Sequence, residues 1–246
     1  MKRSPATGRS RGSSPLLERA YALRMLAEAF AYPAPGHARR VSRMFRRLAP
    51  FDTRRPALGR AAARAERAWA GAGDEALARE YARLFLASGP CSLHETAYGD
   101  ARRMAGRTAE LADIAGFYAA FWFALRDSEP DLPDQLCVEL EFYSAMLIKA
   151  AFARRGGWTE RGMVIERALR KFLELHLARW TRALAAEIAR AGEHSPYAAL
   201  AAFAAALVAD ETRRLRVQPA PFAGRLPADF IQAEEFACPR EAAPGA

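Results

Sequence analysis

The stretch Asp134–Arg155, DQLCVELEFYSAMLIKAAFARR, decides how the rest of the chain is read. It contains neither glycine nor proline, and Leu, Ala, Glu, Met and Arg supply good helix formers along its whole length. A helix is therefore expected from near Asp134 to about Arg155. Residues 163–191 share that composition and are expected to be helical too. With 51% hydrophobic residues in a chain of 246, there is enough apolar side chain for a proper core. The fold class is all-α, a single globular helical bundle.

Upstream, Ser14-Pro15 is a helix start, a capping serine followed by a proline whose missing N–H costs nothing in the first turn. Leu16, Ala20, Leu23, Ala27 and Phe30 follow at helical spacing until Pro33 and Pro35 stop the segment. Further helices are expected over 37–48 and 57–69, and a fourth from Asp74, which is placed to cap it. Residues 88–100, SGPCSLHETAYGD, have no helical period and read as a loop long enough to carry function. A helix or helix pair follows over 101–125. Its second half, IAGFYAAFWFAL, is so apolar that burial on nearly every side is expected.

Downstream, residues 158–191 read as helix with an interruption near His176, and Ser195-Pro196 opens a last helix ending near Leu215. The sum is about eight to ten helices and no strand. Residues 1–13 are expected to be a disordered basic tail, 14–216 the helical domain, and 217–246 a proline-rich tail. That tail either docks through Phe222, Phe230 and Ile231 or stays unordered.

No apolar run approaches the roughly 20 residues a membrane-spanning helix needs, so no membrane span is expected. The basic start, with Lys2, Arg3, Arg9 and Arg11, leads into no apolar signal region, which points to a cytoplasmic protein. Cys91, Cys137 and Cys238 are widely spaced and read as reduced thiols, Cys137 in the core. The net charge of +9 invites a nucleic-acid reading, but arginine recurs along almost every segment as solvated helix faces carry it. Nucleic-acid binding is therefore the alternative and not the first reading.

Phosphate-cradling, dinucleotide and nucleophile-elbow motifs are absent, as is the Glu-x-x-His pairing of a di-iron bundle. No catalytic residue, metal or cofactor is expected. Local charge is more telling than its sum: from Asp127 through Ile148 the chain carries Asp127, Glu129, Asp131, Asp134, Glu139 and Glu141 and no Lys or Arg. Part of this suits a helix start, whose dipole favours carboxylates. Glu139 and Glu141, two apart on an apolar helix, must project on different faces. A carboxylate-rich edge beside aromatic side chains suits a peptide that is cationic at one end and apolar beyond it, as export signals are.

The run Pro133–Phe142, PDQLCVELEF, resembles the P-D-H-L-x-x-E-L-x-F helix start of the TorD/DmsD-like and NarJ-like molybdoenzyme-assembly chaperones. Glu80–Phe85 resembles their E-Y-x-R-L-F helix, His94–Tyr98 their E-[ST]-x-Y loop, and Phe172–Trp180 their F-L-x-x-H-L-x-x-W segment. Leu111–Tyr118 together with the loop is most similar to the branch serving dimethyl-sulfide, ethylbenzene, chlorate or selenate enzymes. The resemblance implies a binding protein, not an enzyme. Its partners would be the catalytic subunit of a molybdopterin oxidoreductase and that subunit's twin-arginine signal peptide, with the chaperone itself a monomer or a dimer. The client-binding residues are then Glu95, Tyr98, Asp134, Gln135, Glu139, Glu141, Phe142 and Tyr143. Asp134, Glu139 and Glu141 would face the arginines, and Tyr98, Phe142 and Tyr143 the apolar part, while His176 and Trp180 brace the fold. One position departs: the family's histidine is Gln135, which keeps hydrogen-bonding capacity without a titratable charge.

Overall fold

The computed structural model describes residues 14–48, 55–87, 89–99, 107–124 and 132–225. Expectations for residues 1–13 and 226–246, and for Asp127, Glu129 and Asp131, lie outside them. The helices are α1 (Pro15–Phe30), α2 (His37–Arg47), α3 (Pro56–Ala70), α4 (Asp74–Phe85), α5 (Arg107–Ala120), α6 (Leu136–Arg155), α7 (Thr159–Phe172), α8 (Ala178–Ala191) and α9 (Pro196–Leu215). A π turn, Leu173–Leu177, joins α7 to α8 without a break, as the interruption near His176 foretold. Among the described residues there is no strand, only isolated bridges pairing His94 with Gln135 and Tyr98 with Arg225.

The central element is α6, the stretch from which the fold was read. Helix α1 lies along it, and alanines at the contact let the backbones approach closely enough for Ser144 Oγ to donate to the Ala20 carbonyl at 2.7 Å. Helix α9 packs against α1, α3 and α8. Beneath α1 a charged group is sealed in: Arg19 bonds both Asp210 and Glu211, Arg55 joins Asp210, and Arg214 holds Glu211 at 2.6 Å. Tyr143 donates its hydroxyl to the same Glu211 at 3.1 Å. Trp69, Tyr81 and Phe85 surround Tyr197 edge-on at 5.4–6.0 Å between ring centroids and close the other end of the bundle.

The two Ser-Pro starts behave differently. Ser195 Oγ accepts from the Tyr197 N–H at 3.3 Å, whereas Ser14 makes no side-chain cap and its carbonyl alone begins α1. Asp74 does not cap its own helix. Its carboxylate accepts the N–H groups of Gly36 and Ala38, each at 2.7 Å, and so caps α2. Those backbone bonds hold its pKa below the ordinary value. Of the helix or helix pair expected over 101–125, residues 101–106 and 125 lie outside the described residues; the rest holds α5, which ends at Ala120 and is not buried all round. Ile114 and Tyr118 are covered, while Ala112, Ala115, Gly116, Ala119 and Ala120 face solvent. Small side chains forgo little by exposure, which is why an apolar sequence can lie on the surface. The turn after α5 carries Trp122, 94% exposed and at φ 57°, with Phe123 N–H reaching back to the Tyr118 carbonyl at 2.9 Å, so tryptophan occupies the left-handed position where glycine is usual. Cys91 and Cys137 are both buried free thiols, and burial pushes the Cys91 pKa up to about 11, far from a reactive thiolate.

Candidate functional site

The loop 89–99 and the head of α6 are stitched together by backbone bonds. Glu95 N–H donates to the Asp134 carbonyl at 2.9 Å and Leu136 N–H to the Leu93 carbonyl at 2.8 Å. This pairing delivers three carboxyl groups, Glu95, Asp134 and Glu139, into one interior patch, all of them fully buried. Asp134 accepts from Thr96 Oγ1 at 2.6 Å and Thr96 N–H at 3.2 Å, and its Oδ1 lies 3.1 Å from His94 Nδ1. Burial alone would raise Asp134, but the bonds from His94 and Thr96 outweigh it and hold its pKa below the usual carboxylate value.

Glu139 is placed differently. Trp180 Nε1 donates to its Oε2 at 3.2 Å, while Glu139 Oε1 and Glu95 Oε1 meet no donor among the surrounding groups. Burial, and then the neighbouring Glu95, push Glu139 well above the carboxylate range. A proton held between the two carboxyls satisfies both, with Glu139 as the neutral acid. On the far side of Glu95 lies His176, its Nδ1 at 3.2 Å from Glu95 Oε2 and its Nε2 at 3.1 Å from Asp113 Oδ2 on α5. Burial would lower His176, but the two carboxylates outweigh it and raise its pKa. The result is a chain of polar contacts that runs from Trp180 through Glu139, Glu95 and His176 to Asp113.

Burial raises Glu95 too, and all three raised groups hold more protons folded than unfolded, so stability falls as pH rises from the ordinary values of Glu and His through their raised folded ones. Thermal unfolding should therefore show a lower midpoint at pH 8 than at pH 6. Glu139→Gln, which keeps a neutral hydrogen-bonding group, should shrink that difference; an unchanged pH slope in the variant would contradict a shared proton at Glu139.

Aromatic rings wall the patch. Tyr98 is buried, lies 5.3 Å from the Trp180 ring, and donates to the Ser92 carbonyl at 2.8 Å. Phe142 sits 4.8 Å from both Tyr118 and Phe172. Of the residues named from sequence, Glu95, Tyr98, Asp134, Glu139 and Phe142 are thus brought together. Gln135 is half-buried at the N-terminal boundary of α6. Glu141 points outward, 39% exposed, and pairs with Arg24 at 2.8 Å, so the two glutamates do project on different faces. Tyr143, one turn beyond Glu139, turns its hydroxyl to Glu211 and does not reach the loop.

His176 and Trp180 are bound into the acid chain as well as bracing the fold. Asp113, Thr96 and Glu187 were not foreseen. Glu187 accepts from Tyr98 at 3.1 Å and from the Arg225 N–H at 3.0 Å, which with the Phe222 N–H bond to the Arg179 carbonyl docks the start of the proline-rich tail. Nothing in a single sequence marks them, because each gains its role from a fold contact far along the chain. Among the described residues no cluster of His, Cys, Asp or Glu could hold a metal ion, and no helix is long and apolar enough to cross a membrane.

Comparison with known proteins bears on this loop and helix head together. The family described as nitrate reductase delta subunit matches residues 50–186, a span that contains the whole cluster. The chain is 31% identical over 155 residues to the chlorate reductase assembly chaperone protein of Ideonella dechloratans, covering 63% of this chain and 68% of that one. It is 32% identical over 106 residues to the selenate reductase assembly chaperone protein of Thauera selenatis, covering 43% of this chain and 54% of the relative. A crystal structure of a redox enzyme maturation protein from Archaeoglobus fulgidus aligns over 69% of this chain at 20% identity and a TM-score of 0.38, too distant to bear on the fold. The extent of the family match, with the cluster inside it, places the chain: it belongs to the nitrate reductase delta subunit family of NarJ/TorD-like assembly chaperones, and it is a chaperone and not an enzyme.

Proposed function

We propose that this chain is a cytoplasmic chaperone that binds the apoprotein of a molybdenum-containing oxidoreductase, its twin-arginine signal peptide, or both. Held in this way, the client is loaded with its cofactor before export. The observation that carries the reading is the convergence of Glu95, Asp134 and Glu139 beside Tyr98 and Phe142, in a chain otherwise rich in arginine. Carboxyls gathered in one buried patch gain from a guanidinium, which offers donors in the fork geometry that carboxylates accept.

In the structure the cluster is closed beneath α5, and on this reading α5 lifts to admit the client. It places Asp113 on His176 and Tyr118 Oη on the Pro133 carbonyl at 2.7 Å, yet its outer face is bare. Once it moves, Asp134 and Glu139 receive the arginines, with Glu95 between them. Gln135 and the half-exposed Glu141 form the rim, Tyr98 and Phe142 meet the apolar stretch, and Tyr143, bonded to Glu211, stays outside the groove.

Calorimetry with a twin-arginine signal peptide checks this. Binding is expected at low salt and should weaken by roughly tenfold or more in Asp134→Asn combined with Glu141→Gln. Glu141→Gln alone disturbs only a half-exposed pair, so it separates lost receptor charge from a misshapen loop. No binding at low salt, or the same affinity in the double variant, would sink the assignment.

A further inference from the structure

At the opposite end of α6 the charge of the chain changes sign. Between Arg154 and Lys171 the chain carries six cations (Arg154, Arg155, Arg161, Arg167, Arg170 and Lys171) against two anions, Glu160 and Glu166. Here a groove of about 490 Å3 opens between the start of α1, the end of α6, α7 and the end of α9. Its lining includes small residues, Ala150, Ala153, Gly157 and Gly162, beside the larger Leu16, Trp158 and Met163.

The walls are exposed and yet held in place. Trp158 is 52% and Met163 58% exposed, with Val164 beside them at 55%. The Trp158 ring lies against bare Gly156, where a Cβ would come within 2.8 Å of it, and Arg161 stacks over the ring at 5.2 Å. A tryptophan fixed by its own turn has little rotamer entropy left to lose on binding, which is the property of an interface anchor. Met163 adds an adaptable thioether beside it.

We propose that this groove docks an amphipathic helix of the partner protein, one whose apolar face enters between Trp158 and Met163 and whose flanks carry carboxylates for the surrounding arginines. The small residues of the lining give apolar side chains room to enter, and the charge excess selects an acidic flank over a basic one. Ala153 lies 14 residues along α6 from Glu139, about 21 Å at the helical rise, so the two ends of one rigid helix present opposite charge preferences. The chaperone reading is needed only to say whose helix it is. The groove itself stands on its own geometry.

The test uses a synthetic amphipathic peptide of roughly 18 residues, several helical turns, with leucines on one face and glutamates on the other, and a counterpart with lysine for glutamate. Calorimetry with the full chain should show the acidic peptide binding and the lysine peptide not. Met163→Glu, and separately Arg154→Glu with Arg161→Glu, should each weaken the acidic peptide by roughly tenfold or more. Both leave affinity for a twin-arginine peptide unchanged, so failure here and failure of the site at Asp134 are told apart. All these side chains are solvent-exposed, and an unchanged helical circular dichroism spectrum confirms the variants are folded. Equal binding of the lysine peptide, or indifference to the variants, overturns the proposal. So does binding of phosphatidylglycerol vesicles without the acidic peptide, which makes the groove a lipid surface. A dimer abolished by Met163→Glu makes it a self-association face and overturns it as well.

Discussion

Replacing Arg19 by methionine should lower the stability of the whole bundle by about 3 kcal/mol, the scale on which removing one partner of a buried ion group acts. For a chain of this size that is roughly 6–12 °C in the unfolding midpoint. The cause is what the arginine leaves behind. Arg19 is the cation that bonds both Asp210 and Glu211, and all three are buried between α1 and α9. Arg55 and Arg213 still reach Asp210, and Arg214 and Tyr143 still reach Glu211, so the loss stays near the lower end of the range. Glu141→Gln is the contrasting case: it breaks the half-exposed pair with Arg24 and should cost less than about 1 kcal/mol. Denaturant titration of both variants checks the pair of values. A near-neutral Arg19→Met would mean that the flanking arginines alone neutralise the two acids.

Trp180→Ala should cost about 3–5 kcal/mol, the range for deleting a large buried aromatic. The residue is completely buried, packs against Tyr98, and gives Glu139 its indole donor. Alanine would leave a cavity beneath the loop and take the donor from a buried carboxyl at the same time. Trp180→Phe isolates the second effect by keeping most of the ring volume, and should cost roughly 1–3 kcal/mol. If the two variants proved equally mild, the loop would be held by its backbone bonds to α6 and not by this packing.

Most of the helices were legible because they rest on local causes. The absence of Gly and Pro over 134–155, the Ser-Pro starts and the break at Pro33 each act within a few residues, and the ends of α1, α2, α3, α6 and α9 fell close to the expected places. What misled was any inference from composition to burial. The apolar 114–125 segment is mostly alanine and glycine on one face, and such a face can meet water cheaply, so α5 lies outside. Asp74 misled for a related reason: a carboxylate at a helix start has two helix ends within reach, and the fold chose α2.

The site was half legible. Motif order singled out Glu95, Tyr98, Asp134 and Glu139, and these do share one patch. That they share it with the side chains of His176 and Asp113, some 80 and 18 residues from Glu95, is a property of the packed chain that no local pattern encodes. The charge reversal along α6 was visible from its acidic half alone. Its basic half drew no notice in a chain where arginine is everywhere, and only the exposed Trp158 and Met163 give those arginines a context.

The π turn at Leu173–Leu177 also constrains how this chain can change over generations. A π turn is an α-helix that has absorbed one residue more than its ladder needs, here with the Ala178 N–H reaching back to Leu173. It therefore sets the rotational phase of α8 against α7. Losing a single codon inside it would return the helix to regular winding and swing every downstream side chain by about 100°. His176 and Trp180 would then leave the acid chain while every helix kept its length. A one-residue deletion here should therefore disturb the fold far more than one in the loops around it.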